Sequence, residues 1–376
     1  MKIVFTGGGT GGHFYPIIAV AQKLNKIIDE EKLLGTKLYY FSDGPYDKEM
    51  LFENRLIFEN VSTGKLRTYF SFKNFSDVVK TFFGVINATY KLFTIYPDVV
   101  FGKGGYSSFP TIFAARILRI PVLIHESDSA PGRVNAWAGH FAKRVAVSFK
   151  DAAEFFPNDR VAWTGQPIRT EIEKKADKNK ALEFFKLDSD LPILLVLGGS
   201  QGAELINNTI LDALPRLLEH FRVIHQTGVR NYKSVLGQAS VVLADDKNKS
   251  RYLPFAFLNP LQMKMAGGVA TIIVSRAGST IFEISTWGVP SILVPFTESN
   301  ADHAKKNAFA YARAGACSVV EEKNMTANIL SSEIERIVGD KETYDRMVNS
   351  ALVFNKPDAA LKIAQELLRL ALVHIK

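Results

Sequence analysis

Four glycine-containing segments place residue types that bind anions directly after apolar stretches. They are residues 7–12 (Gly-Gly-Gly-Thr-Gly-Gly), 102–110, 198–203 and 275–283. Glycine lets the backbone come close to a bound anion, and the first N–H groups of a following helix donate hydrogen bonds to it. Two such segments in the first half of the chain indicate a substrate that carries a diphosphate. The alternative is that each is an ordinary turn between a strand and a helix.

His13 follows the first glycine segment at the start of a predicted helix. The positive end of the helix dipole disfavours a protonated ring there, so the expected form is the neutral imidazole, which accepts a proton. Residues 125–128 (His-Glu-Ser-Asp) follow another predicted strand. Open α/β sheets bind ligands at the carboxyl ends of their strands, so Asp128 is expected at the same edge as His13. These two residues are the candidates for the catalytic base.

Glu283 lies about one turn inside the helix that is predicted after the fourth segment. Its side chain points back toward the start of that helix, where a carboxylate can accept two hydrogen bonds from a ribose diol. A solvated glutamate on a helix surface is the alternative. Residues 198–203 lack the lysine that follows the glycines of a P-loop, which disfavours kinase and ATPase chemistry.

Residues 65–93 combine aromatic and basic side chains, which is typical of a segment that lies on a membrane surface. Asp77 is the one acid in this range. One face of any helix here must pack on the sheet, so part of the aromatic set is expected in the core. The residues concerned are Leu66, Tyr69, Phe70, Phe72, Phe75, Phe82, Phe83, Ile86, Tyr90, Leu92 and Phe93, with Lys65, Arg67, Lys73, Lys80 and Lys91.

Strand and helix patterns alternate along the whole chain, which predicts α/β layers with parallel sheets. The strand–glycine–helix pattern at the beginning of the chain is repeated from residue 192, so we expect two similar doubly wound domains. Gly and Pro at 164–167 mark the boundary, and a helix is predicted from about 358 to 373. Strands are predicted at 2–6, 37–41, 98–101, 121–124, 144–147, 192–197, 222–226, 241–243, 271–274 and 291–294.

Composition agrees with a soluble two-domain protein. The chain has 376 residues, 47% hydrophobic and 22% charged, which is enough for two separate cores. Its single cysteine, Cys317, excludes an internal disulfide and favours a reduced cytosolic compartment. No signal peptide, no membrane-spanning helix and no metal-ligand cluster is expected. The net charge of +8 suits nucleic acid, anionic lipid or a phosphorylated substrate, or simply solubility.

Taken together and in order, the motifs resemble those of the MurG family of N-acetylglucosaminyltransferases, which convert lipid I into lipid II in bacterial cell-wall synthesis. The matching pieces are residues 8–13, 102–110, 125–126, 164–169, 198–203 and 276–278, with Glu283. The resemblance implies a GT-B fold, in which two Rossmann-like doubly wound domains flank a cleft. It places an acceptor-binding and membrane-associating domain at 1–165, joined by a C-terminal helix at 357–376, and a UDP-sugar domain at 166–356. It implies neither a catalytic metal nor a cofactor.

The resemblance also assigns roles to single residues. His13 would lie near the acceptor hydroxyl, Glu283 at the uridine ribose, and Phe255 with Ala256 at the uracil. Three positions depart from the family pattern: Asp128 replaces Asn, Phe109 replaces Gly, and Ala304 replaces a Gln that contacts the donor sugar. The acceptor-binding residues would be Thr10, Gly11, Gly12, Gly104, Gly105 and Tyr106. The donor-binding residues would be Arg169, Gly199, Ser200, Phe255, Ala256, Gly278, Glu283 and His303, with Arg169 and Ser200 at the diphosphate.

The implied reaction is inverting transfer of N-acetylglucosamine from UDP-GlcNAc to the 4-hydroxyl of the muramyl sugar in lipid I. The implied location is the cytoplasmic face of the cell membrane, where the protein is peripheral and residues 65–93 meet the anionic surface. No nucleic acid is expected as a partner. Three alternatives remain: a diacylglycerol glycosyltransferase, which residues 102–110 disfavour; an NAD-dependent oxidoreductase, resting on G-x-G-x-x-G and Asp43; and a non-catalytic membrane-associated binding module.

Overall fold

The structure is a computed structural model of the chain, and it describes residues 1–64, 72–188, 190–199, 202–297 and 302–375. The chain divides into two compact units. One comprises residues 1–170 together with 356–376, and the other comprises residues 171–355. Both units are α/β with a parallel sheet, so the predicted fold class is confirmed.

The first unit is built on a seven-stranded parallel sheet with the order β3-β2-β1-β4-β5-β6-β7. The order reverses direction between β1 and β4, which is the arrangement of a doubly wound sheet, and ligands bind such sheets at that point. The strands are β1 (Lys2–Thr6), β2 (Lys37–Ser42), β3 (Leu56–Asn60), β4 (Val99–Gly102), β5 (Val122–Glu126), β6 (Arg144–Val147) and β7 (Val161–Trp163).

Helices cover both faces of this sheet. In the first helix, Phe14, Ile17, Ala21 and Leu24 recur at helical spacing and are buried against the strands. A second group of buried residues fills the opposite face, so each side of the sheet has its own core. The helices are α1 (Gly11–Glu30), α2 (Lys48–Glu53), α3 (Phe72–Ile95), α4 (Phe109–Ile117) and α5 (Arg133–Gly139).

The last helix of the chain, Ala359–Ile375, belongs to the first unit. Its buried residues Ala364, Leu367 and Ala371 join the core around α1 and β1. On its outer side, Glu366 accepts a hydrogen bond from Arg144 at 2.9 Å. The apolar spacing that predicts this helix is therefore the spacing that fixes it to the first sheet.

The second unit repeats the same topology. Its six-stranded parallel sheet has the order β10-β9-β8-β11-β12-β13, which reverses direction between β8 and β11. The strands are β8 (Ile193–Leu197), β9 (Arg222–Gln226), β10 (Tyr252–Phe255), β11 (Ile272–Arg276), β12 (Ser291–Val294) and β13 (Cys317–Val319). Its helices are α6 (Lys178–Phe185), α7 (Glu204–His220), α8 (Tyr232–Val242), α9 (Pro260–Val269), α10 (Thr280–Trp287), α11 (His303–Arg313), α12 (Ala327–Gly339) and α13 (Lys341–Phe354); the helix at 359–375 is α14.

One predicted strand is wrong. Residues 241–243 (Val-Val-Leu) contain β-branched side chains that favour strands, but Val241 and Val242 complete helix α8. The helical spacing of buried Val235, Ala239 and Leu243 overrides that local preference. The strand that follows this helix is β10, at Tyr252–Phe255. Among the described helices, none is both long enough and apolar enough to span a bilayer.

Candidate functional site

Two glycine loops meet at the carboxyl edge of the first sheet, where β1 and β4 diverge. Gly9 and Gly105 both have positive φ angles, +84° and +77°, which side chains rarely adopt. Both also face neighbours closely: a methyl group on Gly9 would lie 2.9 Å from the Tyr106 ring, and one on Gly105 would lie 3.3 Å from Nε2 of His13. The glycines therefore allow the loop after β4 to pack directly on the start of α1.

His13 lies half-buried in the first turn of α1. Its Nδ1 is 3.0 Å from the Thr10 hydroxyl oxygen, which leaves Nε2 facing the loop at Gly105. Burial lowers the pKa of His13 to about 4; the positive charge of Lys103 lowers it further, and the negative charge of Asp128 opposes both. The ring is therefore neutral at pH 7. Both candidate catalytic residues lie at one site, because Asp128 acts electrostatically on His13.

Two buried charged residues support this site, and the predicted site list contains neither. Lys103 is 1% exposed and donates a hydrogen bond from Nζ to the Ser127 hydroxyl. Burial lowers the pKa of Lys103 to about 8, opposed by Glu126 and Asp128. Burial, and then the charge of Asp128, raises the pKa of Glu126. The sequence pattern of a lysine between loop glycines predicts an exposed side chain, so only the structure shows that Lys103 is part of the site.

Glu126 fixes the backbone of the loop that carries Asp128. Its carboxylate accepts hydrogen bonds from the N–H of Asp128 at 2.9 Å, the N–H of Gly132 at 3.0 Å and Nδ2 of Asn135 at 2.9 Å. Three donors on one buried carboxylate hold the turn in a single conformation. Glu126 therefore positions Asp128.

The boundary motif at 164–167 is part of the same hydrogen-bonded network. Oε1 of Gln166 accepts hydrogen bonds from the hydroxyls of Ser127 at 2.9 Å and Ser148 at 2.8 Å. Nε2 of His125 lies 3.1 Å from the carbonyl oxygen of Gly165. Burial, and then Lys103, lowers the pKa of His125 well below its usual value, so this ring is also neutral. These contacts make His125 a structural residue.

Tyr106 closes the outer side of the two loops. Its hydroxyl donates a hydrogen bond to Oδ2 of Asp43 at 3.0 Å, and Asp43 also accepts one from Ser42 at 3.2 Å. Burial, followed by the bond to Asp43, raises the pKa of Tyr106 to about 12. The Asp43 carboxylate, which an oxidoreductase would use to bind a ribose, is therefore engaged by the protein itself.

The second unit contains a pocket of about 490 Å³ at the carboxyl edge of its sheet. Three helices begin at or near its wall: α7 at Glu204, α10 at Thr280 and α11 at His303. The first N–H groups of a helix carry partial positive charge and lack partners within the helix, so the pocket is suited to an anion. It is lined by Gly198, Gly202, Ala203, Glu204, Leu205, Arg276, Ala277, Gly278, Phe296, Ala304 and Glu322.

The pocket wall contains an ion pair between Arg276 and Glu322. Arg276 and Glu322 approach to 2.6 Å with side chains that are 20% and 16% exposed. The Glu322 carboxylate also accepts hydrogen bonds from the N–H and hydroxyl of Thr297. Burial works to raise the pKa of Glu322, but the bonds from Thr297 and Arg276 outweigh it and lower that pKa. Arg276 could be found from its place at the end of a strand, whereas no sequence signal marks Glu322.

Several predicted donor residues lie at this edge. Gly278 lines the pocket, Glu283 is half-buried in the first turn of α10, and His303 precedes the pocket residue Ala304. Space is open around Gly199 and Gly278: among the described residues, apart from chain neighbours, no atom would lie within 4 Å of a methyl group added at either. Ser200 lies outside the described residues.

The remaining predicted donor residues are more dispersed. Phe255 ends β10 and packs on Phe185 with ring centres 5.9 Å apart, and Ala256 follows it half-buried. Arg169 belongs to the first unit, where its guanidinium stacks 3.9 Å above the Tyr15 ring. Its buried Nε has no hydrogen-bond partner among the described residues.

Comparison with protein families matches both units. Residues 3–147 match the glycosyltransferase family 28 N-terminal domain, and residues 193–363 match the glycosyltransferase family 28 C-terminal domain. A Bacillus anthracis protein is 34% identical over 91% of this chain and 93% of its own length, and a Clostridium novyi protein is 31% identical over 97% and 98%. Both are named UDP-N-acetylglucosamine–N-acetylmuramyl-(pentapeptide) pyrophosphoryl-undecaprenol N-acetylglucosamine transferase, the former with the suffix 2.

Solved structures share the whole fold. MurG from Acinetobacter baumannii superposes with a TM-score of 0.74 at 24% identity, covering 98% of this chain and 99% of its own. UDP-GlcNAc 2-epimerase from Neisseria meningitidis, bound to UDP-GlcNAc, superposes with a TM-score of 0.67 at 16% identity, covering 98% and 100%. At these identities the two structures establish the fold alone.

Proposed function

The chain belongs to glycosyltransferase family 28, and we propose that it transfers N-acetylglucosamine from UDP-GlcNAc to the 4-hydroxyl of the muramyl sugar of lipid I, giving lipid II. The observation that carries the proposal is the pocket of about 490 Å³ at three helix starts, in a chain whose relatives are named for this transfer. Its volume is within the range of small-molecule sites, and the partial positive charge of the helix starts suits a diphosphate.

The second unit would bind the donor. In the transfer, the bond between the anomeric carbon and the diphosphate breaks, and UDP leaves with increased negative charge. Helix N–H groups around the pocket, together with Arg276, would stabilise that charge because they are already oriented toward it. We assign Glu283 to the ribose hydroxyls, since its carboxylate lies in the first turn of α10.

The first unit would bind the acceptor. The muramyl 4-hydroxyl attacks the anomeric carbon from the face opposite to UDP, so the configuration inverts, and its proton passes to a base. We assign this base role to His13, with Asp128 as the second candidate. For His13 to accept at Nε2, its Nδ1 must hold the other proton and donate it to the Thr10 hydroxyl, which lies 3.0 Å away. The glycine loops that contain Thr10, Gly104 and Gly105 would bind the acceptor diphosphate.

Transfer of radiolabelled sugar tests the reaction. With UDP-[¹⁴C]GlcNAc, lipid I should become labelled and diacylglycerol should not, because diacylglycerol lacks the diphosphate that the first unit is proposed to bind. Parallel incubations with UDP-glucose measure donor selectivity, which the Ala304 position leaves open. Labelling of diacylglycerol in preference to lipid I would contradict the assignment of the acceptor.

The exposed face of α3 supports a membrane-binding role. Residues at positions 75, 79, 82, 86, 90 and 93 recur at helical spacing, and their side chains form one apolar stripe. Lys80 of the same helix is exposed, whereas Lys91 is paired with Glu59 at 2.5 Å. Residues 65–71 lie outside the described part of the chain. The exposed fractions are 79% for Phe75, 40% for Val79, 62% for Phe82, 61% for Phe83, 51% for Ile86, 68% for Tyr90 and 67% for Phe93.

We propose that this face docks the protein on the anionic cytoplasmic surface of the cell membrane, where the protein would bind lipid I. Lipid II made there would supply peptidoglycan, so cell shape and division would depend on the protein. Co-sedimentation with vesicles of phosphatidylglycerol and phosphatidylethanolamine tests the surface. Phe82→Ser with Phe93→Ser should weaken binding, while Phe52→Ser with Phe155→Ser, which removes two equally exposed rings of the same unit, should not. Equal binding by both pairs would refute this docking face.

A further inference from the structure

The burial of the Lys103 side chain costs free energy of folding, and the fold alone does not require it. Its side chain is buried behind the first glycine loop, and a methyl group on Gly7 would lie 2.9 Å from its Cβ. An ammonium loses its hydration in a protein interior, so a buried lysine lowers stability unless other groups compensate. An apolar side chain of similar length would serve the core better, which indicates that the charge itself has a use.

Lys103 is tied to both candidate catalytic residues. Its Nζ donates a hydrogen bond to Ser127, the residue before Asp128. Two residues further along the same loop, Gly105 faces the His13 ring: a methyl group added there would lie 3.3 Å from Nε2. Lys103 therefore connects the loop after β5, which carries Asp128, with the loop that covers the imidazole.

Charged and titratable groups approach this position from several elements. Glu126 approaches from the end of β5, Asp128 from the loop after it, and His13 from α1. His125, at the end of β5, feels the charge of Lys103 as well. The positive charge of Lys103 thus opposes protonation of both histidines, while Asp128 acts on His13 in the opposite direction.

Two tyrosines beside the first glycine loop keep their protons in the range of an assay. Burial raises the pKa of Tyr40 to about 12, and burial with the Asp43 bond raises that of Tyr106 to about 12. Tyr40 donates a hydrogen bond to the Gly7 carbonyl, and Asp43 accepts one from Tyr106. Lys103 is therefore the cation whose removal would change the field at His13 most directly.

We propose that Lys103 is a positioning residue of the transfer reaction, whose ammonium holds the Asp128 loop through Ser127 and keeps the His13 imidazole free to take the acceptor proton. The inference rests on the proposed function, because it assigns Lys103 to the same acceptor site. Lys103 acts through its neighbours and does not touch the reacting atoms.

Lys103→Met tests the proposal, because it removes the charge and keeps the length of the side chain. We expect kcat to fall by about 10- to 100-fold, as for a displaced catalytic group. UDP affinity, measured by calorimetry, should stay unchanged, and Tm should not fall. Lys37→Met is the matched control: it removes the same charge at the exposed amino end of β2 and should leave kcat unchanged.

An NMR titration of the His13 ring gives a second, independent readout. The pKa of His13 should rise above about 4 in Lys103→Met, although burial still lowers it, and should stay low in Lys103→Arg, which keeps the positive charge. A kcat within about threefold of wild type, an unmoved His13 titration, or a parallel loss of Tm and UDP affinity in Lys103→Met would each overturn the proposal. Should wild type label no acceptor, the proposed function fails, while the titration still decides whether Lys103 acts on His13.

Discussion

The two sheets have the same strand order, but different side chains lie at their carboxyl edges. In the first unit, His13, Lys103, Glu126 and Asp128 crowd together, and the pKa values of the first three are shifted, chiefly by burial. In the second unit, the corresponding edge forms a pocket at three helix starts. One fold thus gathers titratable side chains at this edge in one copy and helix starts around a pocket in the other.

Two histidines, one in each unit, differ in the partners of their ring nitrogens. In the second unit, both nitrogens of His225 have partners, the Tyr252 hydroxyl at 2.9 Å and Oδ1 of Asn207 at 3.0 Å. In the first unit, His13 has one such partner, Thr10, and its other nitrogen faces a glycine loop. Both nitrogens of His225 are used in holding the core, whereas Nε2 of His13 is available to exchange a proton.

The largest expected effect is on His13. If the first edge carries the chemistry, His13→Ala should lower kcat by about 10²–10⁴, as for a lost acid–base group, with UDP affinity and Tm near wild type. His140→Ala, at an exposed histidine of the same unit, serves as the control. Steady-state kinetics at saturating donor measure the effect. Turnover within threefold of wild type would transfer the base role to Asp128.

The next effect tests the second edge. Glu283→Ala should weaken UDP binding by roughly 1.5–3 kcal/mol, the value of charge-assisted hydrogen bonds, or about 10- to 150-fold in Kd. Calorimetry with UDP measures it. Glu219→Ala, near the far end of α7, changes the same residue type away from the pocket and should bind normally. An unchanged Kd for Glu283→Ala would remove this residue from the donor site.

A smaller effect is expected at the ion pair of the pocket. Glu322→Gln removes one negative charge beside the proposed diphosphate and keeps an amide oxygen that can accept the hydrogen bond from Thr297. UDP should therefore bind more tightly by a factor of about 3–5, which corresponds to the free energy of a single ion pair. The gain should shrink as salt is added. Glu335→Gln breaks a comparable pair with Arg216 elsewhere in the unit and should leave UDP affinity unchanged. Weaker binding by Glu322→Gln would indicate that Glu322 holds Arg276 in place.

The smallest effect concerns pH. The folded pKa of His13, about 4, lies below its unfolded value near 6.5, so the unfolded chain binds more protons between these values. His13 should therefore reduce stability as pH falls from about 6.5 to 4 and have no such effect above 7. The drop in Tm from pH 7 to pH 5 should be smaller in His13→Ala than in His140→Ala. Equal drops would mean that His13 titrates normally in the folded protein.

The strands that the sequence predicts are those with a neighbouring strand on each side. Residues 2–6, 144–147, 222–226 and 291–294 were predicted with the bounds that the structure has. The strands that escaped prediction lie at or near sheet edges, as β3, β7, β10 and β13 do. Edge strands are half-exposed, so their sequences lack the continuous apolar run that marks a strand buried on both faces.

The sequence by itself determined the two-fold repetition of the fold, the family and the main proposed site residues. His13, Asp128, Gly278 and Glu283 all lie in segments that follow strands, and the carboxyl ends of parallel strands meet at one edge of a sheet. Tertiary structure alone decided the surroundings of Lys103 and Glu322. Each is a charged residue in a polar stretch, which reads as surface, and only packing shows that one is buried beside His13 and the other is paired inside a pocket.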